Sequence, residues 1–521
     1  MYKQDFGFPQ GLTKKMWDVK ARVRGLLLFG LVLSPGWARA AEHYIRAGAT
    51  GSACTDWGKN ACSDLPSSLV RGDTYYVAAG IYGMHPFKDA DSGSSVIRIL
   101  APTAADHGTE TGWSKAYQGQ AIFRCVARCG AIWEFDTDYY LISGVYRSIQ
   151  TGNPHTDWMN EASYGFKLDN TNGYAASAEI AGGAGYKGPP DFVHDITIKY
   201  VDLNGAHPTE DVDQTYDAGI DFEGGSYNLM FDHLYVHDDF VAFFLKGSHN
   251  HQNGGGWTFG SGNNITIQYV AANHNFTAPH PRVSDRHHGA FCSCSEGLTN
   301  FTIRYNWIEN IVGTSVLDLA SGAGFNTGNG PNGPWFVYGN VWTQSDSIHC
   351  AVGQGFFAPF DTMFGGDVYV LNNTFANVGA AKCPGQIDTG FTPALTAKMR
   401  GVYWENNVYF RSDHVNVINS GTTTYGNVIF SNMVWDYNSW FSTPVGARDD
   451  RGPHRQSASS DPFSEEKAFN YQLPVHTAPG VNTHSLVPGN DLDMNGNTRG
   501  SDGVFDRGAF QKAIKSPGAS K

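Results

Sequence analysis

Short runs of alternating apolar and polar residues dominate the chain, and one ten-residue run recurs eight times. Its second and fourth positions are almost always apolar, as in Ile196 and Ile198. Alternation with a period of two places both side chains on one face of a β-strand, which must be the interior face. The eight runs begin at Asp195, Asn228, Asn264, Asn300, Pro334, Asp367, Gly401 and Asn427.

The spacing of these runs is nearly constant. Successive starts lie 33, 36, 36, 34, 33, 34 and 26 residues apart, and no helix-period pattern fits between them. A near-constant period with strand content in each unit is typical of a β-solenoid. A further strand-like run in several units predicts at least two parallel strands per coil; these runs are 219–224, 243–248, 290–295, 316–321 and 416–421.

Two more positions of the run predict where coils stack. The seventh position is asparagine in four successive units, at Asn306, Asn340, Asn373 and Asn407. Buried amides stacked at a coil corner can bond one another along the axis and satisfy the turn backbone. The ninth position is apolar and predicted to return to the core, in Leu203, Val236, Ile308, Trp342, Phe375, Tyr409 and Trp435.

The first forty residues read as a signal peptide rather than as part of the fold. Three basic residues precede the apolar run 25–33, and Ala38-Arg39-Ala40 follows as a small-residue cleavage motif. We predict cleavage before Ala41, a secreted protein (extracellular or periplasmic) and no membrane span after cleavage. The alternative is an uncleaved membrane anchor, although the run is short for a bilayer.

The net charge narrows the class of partner. The full chain carries −13, and removal of residues 1–40, with seven basic and two acidic residues, leaves −18. Such an acidic chain argues against nucleic acid as a partner, because phosphate binding needs a basic surface. It also makes a polyanionic ligand harder to hold, unless a local basic patch or a divalent cation reverses the sign.

Eight cysteines, all beyond residue 40, predict disulfides in a secreted chain. Cys54–Cys62 and Cys125–Cys129 would close local loops, and Cys350–Cys383 would span one repeat. Cys292 and Cys294 alternate with Ser293, so a bridge between them would be strained. No C-x2-C pair occurs, and the adjacent His287 and His288 cannot converge on one ion, so no zinc site is predicted.

These features together resemble the secreted right-handed parallel β-helix superfamily, which includes pectate and alginate lyases, polygalacturonases and uronate epimerases. The resemblance rests on the signal peptide, the segment GDTYYVAAGIYG at 72–83 and the asparagine-laddered coils. It implies an all-β, single-domain parallel β-helix over 41–480. Segment 491–511 is similar to the closing segment of such proteins, which implies a C-terminal cap and tail over 481–521. The resemblance is specific for fold and weak for reaction.

Residues one coil apart in a solenoid become neighbours, and this predicts one dense polar cluster. Aligned strands place Lys246 level with Glu223 and Cys294, Asp238 beside Arg286, and Asp239 beside His287. His237 falls in the column of Asn204, Asn273 and Glu309. The cluster comprises His237, Asp238, Asp239, Lys246, His274, Arg286, His287 and His288, between the long loops 249–257 and 276–285. Long loops on one side of a rigid scaffold are usual walls of a binding cleft.

The cluster suggests chemistry on a uronate polymer. Arg286 could neutralise the sugar carboxylate, and Lys246 or His287 could abstract the α-proton, with His237 and His288 as further catalytic candidates. Asp238, Asp239, His274 and Glu309 are the predicted substrate-binding residues, and the two aspartates could hold a cation or orient a histidine. The alternative is that Asp238–Arg286 and Asp239–His287 are ordinary surface ion pairs.

Tyr200, Tyr269 and Tyr305 share one column, with His233 in the coil between. Such a row could stack sugars, so Tyr269 and Tyr305 are also substrate-binding candidates. We favour the other interpretation, in which the row is the packed shoulder of a sheet.

Motifs of two other family members fit less well. Of the polygalacturonase motifs only Asp238-Asp239 matches fully, and His288-Gly289 matches in part. The Asp-Pro-His motif of uronate epimerases is absent. Calcium is the one cofactor suggested, because Asp491, Asp493 and Asn495 with Asp502 approach calcium-loop spacing. No helices are predicted to flank that loop, so a structural role in the cap is the simpler interpretation.

The sequence therefore predicts a secreted, carbohydrate-active β-helix, expected to be a monomer. The favoured function is a polysaccharide lyase that cleaves an acidic polysaccharide by β-elimination. The alternatives are a glycoside hydrolase and a non-catalytic glycan-binding or adhesin solenoid.

Overall fold

A computed structural model describes residues 40–512 with internal gaps. The gaps are 92, 184–192, 207–217, 223–224, 246–247, 251–257, 261, 276–289, 293–297, 312–314, 319–332, 345–354, 359–366, 379–397, 413–423, 426–427, 443–451, 464, 485 and 488. Among the described residues, no helix is long and apolar enough to cross a membrane.

The described strands form three long sheets, and eight of the coils contribute one described strand to each sheet. Sheet A contains, in spatial order, β1 (Glu42–Ile45), β2 (Thr74–Val77), β5 (Ile97–Leu100), β8 (Tyr140–Ser143), β11 (His194–Lys199), β14 (Tyr227–Asp232), β19 (Gly262–Gln268), β22 (Leu298–Arg304), β25 (Trp335–Tyr338), β28 (Asp367–Leu371), β30 (Lys398–Glu405), β33 (Val428–Asp436) and β32 (Thr424–Tyr425).

Sheet B contains β3 (Gly80–Tyr82), β6 (Ala121–Phe123), β9 (Phe166–Asp169), β12 (Val201–Asn204), β15 (Tyr235–His237), β20 (Ala271–Asn273), β23 (Trp307–Glu309), β26 (Val341–Thr343), β29 (Thr374–Ala376), β31 (Val408–Phe410), β34 (Ser439–Phe441) and β35 (Gln456–Ala458). Sheet C contains β4 (His85–Phe87), β7 (Cys129–Phe135), β10 (Ala175–Gly182), β13 (Ala218–Phe222), β16 (Val241–Leu245), β21 (Phe291–Cys292), β24 (Ser315–Asp318) and β27 (Gly355–Ala358).

Pairing within the three sheets is parallel, apart from β32 against β33. A separate antiparallel hairpin joins β17 (Ser248–Asn250) to β18 (Thr258–Gly260). Helical structure among the described residues is limited to α1 (Pro154–Asp157) and short 3-10 turns at Lys115–Tyr117, Glu161–Ser163 and Glu466–Ala468. The predicted right-handed parallel β-helix is thereby confirmed, with three described strands in eight of the coils rather than the minimum of two.

Seven of the eight ten-residue runs are two strands with a sharp corner between them. In the first run, β11 belongs to sheet A and β12 to sheet B, and Tyr200 between them has a φ of 59°. The same left-handed corner recurs at His233, Tyr269 and Tyr305, with φ between 53° and 57°. An aromatic residue in this region costs on the order of 1–3 kcal/mol, and stacking between successive rings offsets part of that cost.

The asparagine ladder forms as predicted and extends by one residue. Oδ1 of Asn340 accepts the backbone N–H of Asn306 at 2.9 Å and its Nδ2 at 3.0 Å, and Asn340 Nδ2 donates to Asn373 Oδ1 at 2.9 Å. The pattern continues through Asn407 to Asn438. Every step also ties a side-chain amide to a backbone carbonyl of the preceding coil, so the ladder satisfies the corner backbone as well.

The last predicted run was misplaced by five residues. Gly401 pairs with Asn432 rather than Asn427, so the true spacing is 31 residues from start to start. The ninth position is therefore Trp440, which pairs with Tyr409, and not Trp435. The error arose because Val428–Phe430 has its own alternating pattern, and this stretch extends β33 ahead of the repeat.

The core lies inside the coils and is rich in large apolar side chains. Trp133, Trp335, Trp404 and Trp435 are all fully buried. Two predicted disulfides, Cys54–Cys62 and Cys125–Cys129, are present. Cys292 is also disulfide-bonded, while Cys294, Cys350 and Cys383 lie outside the described residues.

The C-terminal segment lies along the side of the coils. Tyr471 stacks on Trp307 with ring centroids 5.6 Å apart, and the carbonyl of Gly489 accepts a hydrogen bond from Tyr305 Oη at 2.8 Å. Arg507 donates a hydrogen bond to the carbonyl of Asn438, which lies just before β34 in one of the last coils. The segment therefore spans several coils over the outer face of sheet B, in addition to following the last coil. Its Asp493 carboxylate accepts N–H groups from Asn495, Asn497 and Gln511, which organises a turn.

Candidate functional site

The outer face of sheet B carries a polar row in its N-terminal half. Strand register places Asp169, Asn204, His237, Asn273 and Glu309 in one column, one residue per coil. The predicted column of His237 is thereby confirmed. Four rung spacings of about 4.8 Å make the polar row about 19 Å long.

A loop that leaves between β8 and β9 lies beside this polar row, and we call residues 145–164 the strap. Its ends meet at Gly144 and Gly165, where a Cβ on Gly165 would collide with the Gly144 carbonyl oxygen. Only glycine fits such a neck. The strap extends across successive coils, because its Glu161 contacts Lys167 on β9 while its His155 contacts Glu309 on β23.

Arg147, near the start of the strap, attaches it to sheet B. Its Nη1 donates to the Tyr269 carbonyl at 2.6 Å, and its guanidinium lies 4.0 Å from the centre of the Trp158 ring. Burial lowers the pKa of this guanidinium, although the neighbouring Tyr164 partly opposes that effect. A buried arginine held on both sides fixes the strap over the sheet rather than leaving it a free surface loop.

His237 is the centre of the charged part of the site. Its Nδ1 lies 2.6 Å from Asp238 Oδ2, and its Nε2 lies 3.1 Å from Asp202 Oδ1 on the previous coil. Burial alone would lower the pKa of His237, but hydrogen bonds to Asp202 and Asp238, with their charges, raise it to about 9. The two aspartates therefore favour the protonated form of the His237 ring.

Two further charges complete the cluster from the strap side. Lys167 Nζ lies 2.5 Å from Glu161 Oε2 and 3.6 Å from Asp202 Oδ2. Burial raises the pKa of Asp202, and His237 and Lys167 oppose that increase. The pKa of Lys167 is raised because the attraction of Asp202 and Glu161 outweighs its own burial. Glu161 is about half exposed, so this end of the cluster meets solvent.

The corner after β15 brings two predicted residues to the surface. Asp238 has a φ of 59° and His274, one coil later, a φ of 52°. Asp238 Oδ1 lies 3.8 Å from His274 Nδ1, and the two side chains are 17% and 35% exposed. The segment 276–289, which carries Arg286, begins directly after Asn275 and therefore leaves the described part of the chain beside this corner.

Three predicted substrate-binding residues lie too deep for that role in this conformation. Asp239 is fully buried, with its carboxylate facing Gly205 and Gly219 in the interior. Glu309 is buried and bound by Trp307 Nε1 and His155 Nδ1. Tyr305 is buried under the C-terminal segment. The left-handed corner at Asp238 directly follows the end of β15, which is why the side chains of Asp238 and Asp239 separate.

The rings of the tyrosine column pack against one another, as expected for residues packed at the edge of a sheet. Ring centroids lie 4.7 Å apart for Tyr200 and His233, 4.8 Å for His233 and Tyr269, and 5.4 Å for Tyr269 and Tyr305. The rings of His233, Tyr269 and Tyr305 stack in succession, and Trp158 of the strap meets Tyr269 edge-on. Tyr269, a predicted sugar-stacking residue, is thus half-buried within a stack.

Four predicted catalytic residues, Lys246, Arg286, His287 and His288, lie outside the described residues. Their proposed pairs with Asp238 and Asp239 therefore remain predictions. Sequence reasoning missed Glu161, Lys167 and Asp202. Asp202 stands in the first ten-residue run, but the register pairs it with Tyr235, so it reaches His237 diagonally and not within one column. The strap has no repeat pattern, so nothing in the sequence placed Glu161 there.

Comparison with known proteins adds little to this geometry. No family model matches the chain, and no curated protein matches it. Among solved structures, the A-module of the Azotobacter vinelandii mannuronan C-5 epimerase AlgE6 is similar at 13% identity, with a TM-score of 0.28, over 75% of this chain and 92% of that one. A score this low carries no argument, and the fold rests on the strand pairing described above.

Proposed function

We propose that this protein is a secreted polysaccharide lyase that cleaves an acidic polysaccharide by β-elimination. The observation that carries the proposal is the partly exposed pair Asp238–His274, which lies at the edge of the polar row. The chain that follows this pair carries Arg286, His287 and His288.

The proposal assigns each group needed for β-elimination to a residue that the sequence singles out. Arg286 neutralises the carboxylate of the sugar, which makes the neighbouring C–H proton acidic. A base, His287 or Lys246, removes that proton. The electron pair then forms a carbon–carbon double bond as the glycosidic C–O bond breaks, and the leaving oxygen takes a proton. His274, held near Asp238, is placed to serve in one of these proton transfers.

His237 has a positioning role in this proposal. Its side chain is buried and both ring nitrogens are within bonding distance of carboxylates, so it does not reach substrate in this conformation. It fixes the orientation of Asp238, which in turn faces His274. The basic groups assigned to substrate also answer the objection raised by the acidic net charge, since a local patch can reverse the sign.

A hydrolase receives less support from the geometry. Glycosidases need two carboxyl groups that both face the sugar. The Asp238-Asp239 pair does not meet this requirement, because Asp239 lies in the interior. A glycan-binding solenoid without catalysis is the remaining alternative.

The type of product separates these functions. The secreted chain should be incubated with a panel of acidic and neutral polysaccharides. A lyase generates unsaturated ends that absorb in the ultraviolet, which is the expected result on at least one acidic polymer. New reducing ends without that absorbance would show a hydrolase instead, and depletion of polymer with neither signal would show a binder. Either outcome would overturn the proposal.

A further inference from the structure

We propose that Glu161, Asp202 and His237 form a binding site for one divalent metal ion of the zinc type. One ligand atom from each residue lies within 4.8 Å of the other two. The residues come from the strap, from β12 and from β15, so the fold and not a local motif brings them together. The inference does not depend on the lyase proposal.

The geometry of His237 favours a metal ligand over a simple ion pair. Asp238 holds Nδ1 at 2.6 Å, which directs Nε2 toward Asp202 Oδ1 at 3.1 Å and Glu161 Oε1 at 4.0 Å. Tetrahedral zinc with bonds of about 2.0–2.1 Å separates its ligand atoms by about 3.4 Å, between these two distances. A carboxylate behind a metal-binding histidine is also the usual outer arrangement of such sites.

The environment of Asp202 also favours a bound cation. Asp202 is fully buried, and within the described part of the chain its Oδ2 accepts no hydrogen bond. Its ion-pair partner Lys167 Nζ lies 3.6 Å away, beyond hydrogen-bonding distance. A buried carboxylate oxygen without a donor is costly, so an added cation at this point would be stabilised.

The composition of the site selects the kind of metal. One imidazole nitrogen and two carboxylate oxygens suit zinc, with a fourth position left open where Glu161 meets solvent. Calcium prefers six to eight oxygen ligands, which this cluster does not supply. Binding would displace the proton shared by His237 Nε2 and Asp202, so one proton leaves as the metal enters. Lys167 keeps Glu161 Oε2 and leaves Oε1 for the metal.

Zinc titration of the chelator-treated, secreted protein tests the site by calorimetry. We expect one zinc ion per chain, with proton release, and at least a tenfold weaker affinity in Glu161→Gln and in Asp202→Asn. Glu161 is half exposed, so its variant should fold even if the buried Asp202→Asn does not. Calcium at the same concentration should not compete.

Asp138→Asn is the matched control. His194 is also bracketed by two aspartates, Asp138 at 2.9 Å and Asp195 at 2.7 Å, but these lie on opposite ring nitrogens and do not converge. This variant should bind zinc like the parent. Absence of zinc binding by the parent, or equal affinity in Glu161→Gln, would overturn the inference and leave the cluster balanced by Lys167 and His237 instead of by a metal. Neither outcome bears on whether polysaccharide is cleaved.

Discussion

The two halves of sheet B's outer face have the same backbone and different side chains. In the N-terminal half, one column reads Lys167, Asp202 and Tyr235. Further along, the same column reads Val341, Thr374 and Val408, and the C-terminal segment packs over it. The second half shows that this fold does not need charges at these positions.

The charged half is therefore better explained by function than by stability. Replacing a buried ion cluster by apolar residues is often neutral or stabilising. The C-terminal half contains two valines and a threonine at equivalent positions and packs against the C-terminal segment. The N-terminal half instead keeps Asp202 and His237 buried beneath a short strap, with Glu161, Asp238 and His274 reaching solvent. The predictions below separate the two halves, from the largest effect to the smallest.

Breaking the ladder should give the largest loss of stability. Asn373 makes four side-chain hydrogen bonds, to Asn340, Val337 and Asn407. Asn373→Ala should lower the free energy of unfolding by roughly 2–4 kcal/mol, because buried partners lose their bonds. Denaturant unfolding measures this. The exposed Asn432→Ala, whose amide reaches Tyr403 Oη at the surface, should cost less than about 0.5 kcal/mol. Equal effects would contradict the structural role of the ladder.

Loss of the residues proposed for catalysis should change activity rather than stability. Arg286→Ala and His287→Ala should each reduce the rate of polymer cleavage about 100-fold or more, because a charge-neutralising or proton-transfer group is lost. Their melting temperatures should equal that of the parent. A parallel loss of melting temperature would instead identify them as members of structural ion pairs.

A substitution in the C-terminal half of sheet B's outer face should lower stability without loss of activity. Tyr471 Oη lies 2.7 Å from Thr343 Oγ1 in a buried contact. Tyr471→Phe should cost about 1 kcal/mol, since the buried Thr343 hydroxyl loses this partner. Tyr174→Phe, at a 44% exposed position, is the control and should cost nothing measurable. A change in cleavage rate for Tyr471→Phe would link the two halves, against this account.

Sheet A should contribute a pH dependence of stability. Burial, with repulsion from Asp436, raises the pKa of Glu405 to about 7. The folded state then holds this proton more tightly than the unfolded state, so stability falls as pH rises from about 4.5 to 7. Glu405→Gln should raise the melting temperature by about 2–3 °C at about pH 8 and change it little at about pH 4. Equal shifts at both pH values would rule out this cause.

The repeat could be read from the sequence because the interior demands it in every coil. The alternation at Ile196 and Ile198 and the recurring asparagines follow from burial and corner geometry, which act locally along the chain. The same reasoning failed at Asn427, where an extra alternating stretch imitated the start of a repeat. It correctly placed His237 among Asn204, Asn273 and Glu309.

The site was less predictable because it depends on a segment outside the repeat. Glu161 and His155 reach sheet B only through the strap, whose path is set by Arg147 under Trp158 and by the neck at Gly144. None of these contacts has a sequence period. Nothing in the sequence indicated that Glu309 would be buried. Its position in the repeat is that of an ordinary strand carboxylate, and the contact with His155 comes from the strap.

The central claim is that the charged half of sheet B carries out chemistry that the fold does not require. The most direct measurement is the initial rate of unsaturated-end formation by His274→Ala, compared with the parent at equal concentrations of folded protein. We predict a rate at least tenfold lower with an unchanged free energy of unfolding. Equal rates on an acidic polymer that the parent cleaves would contradict the claim.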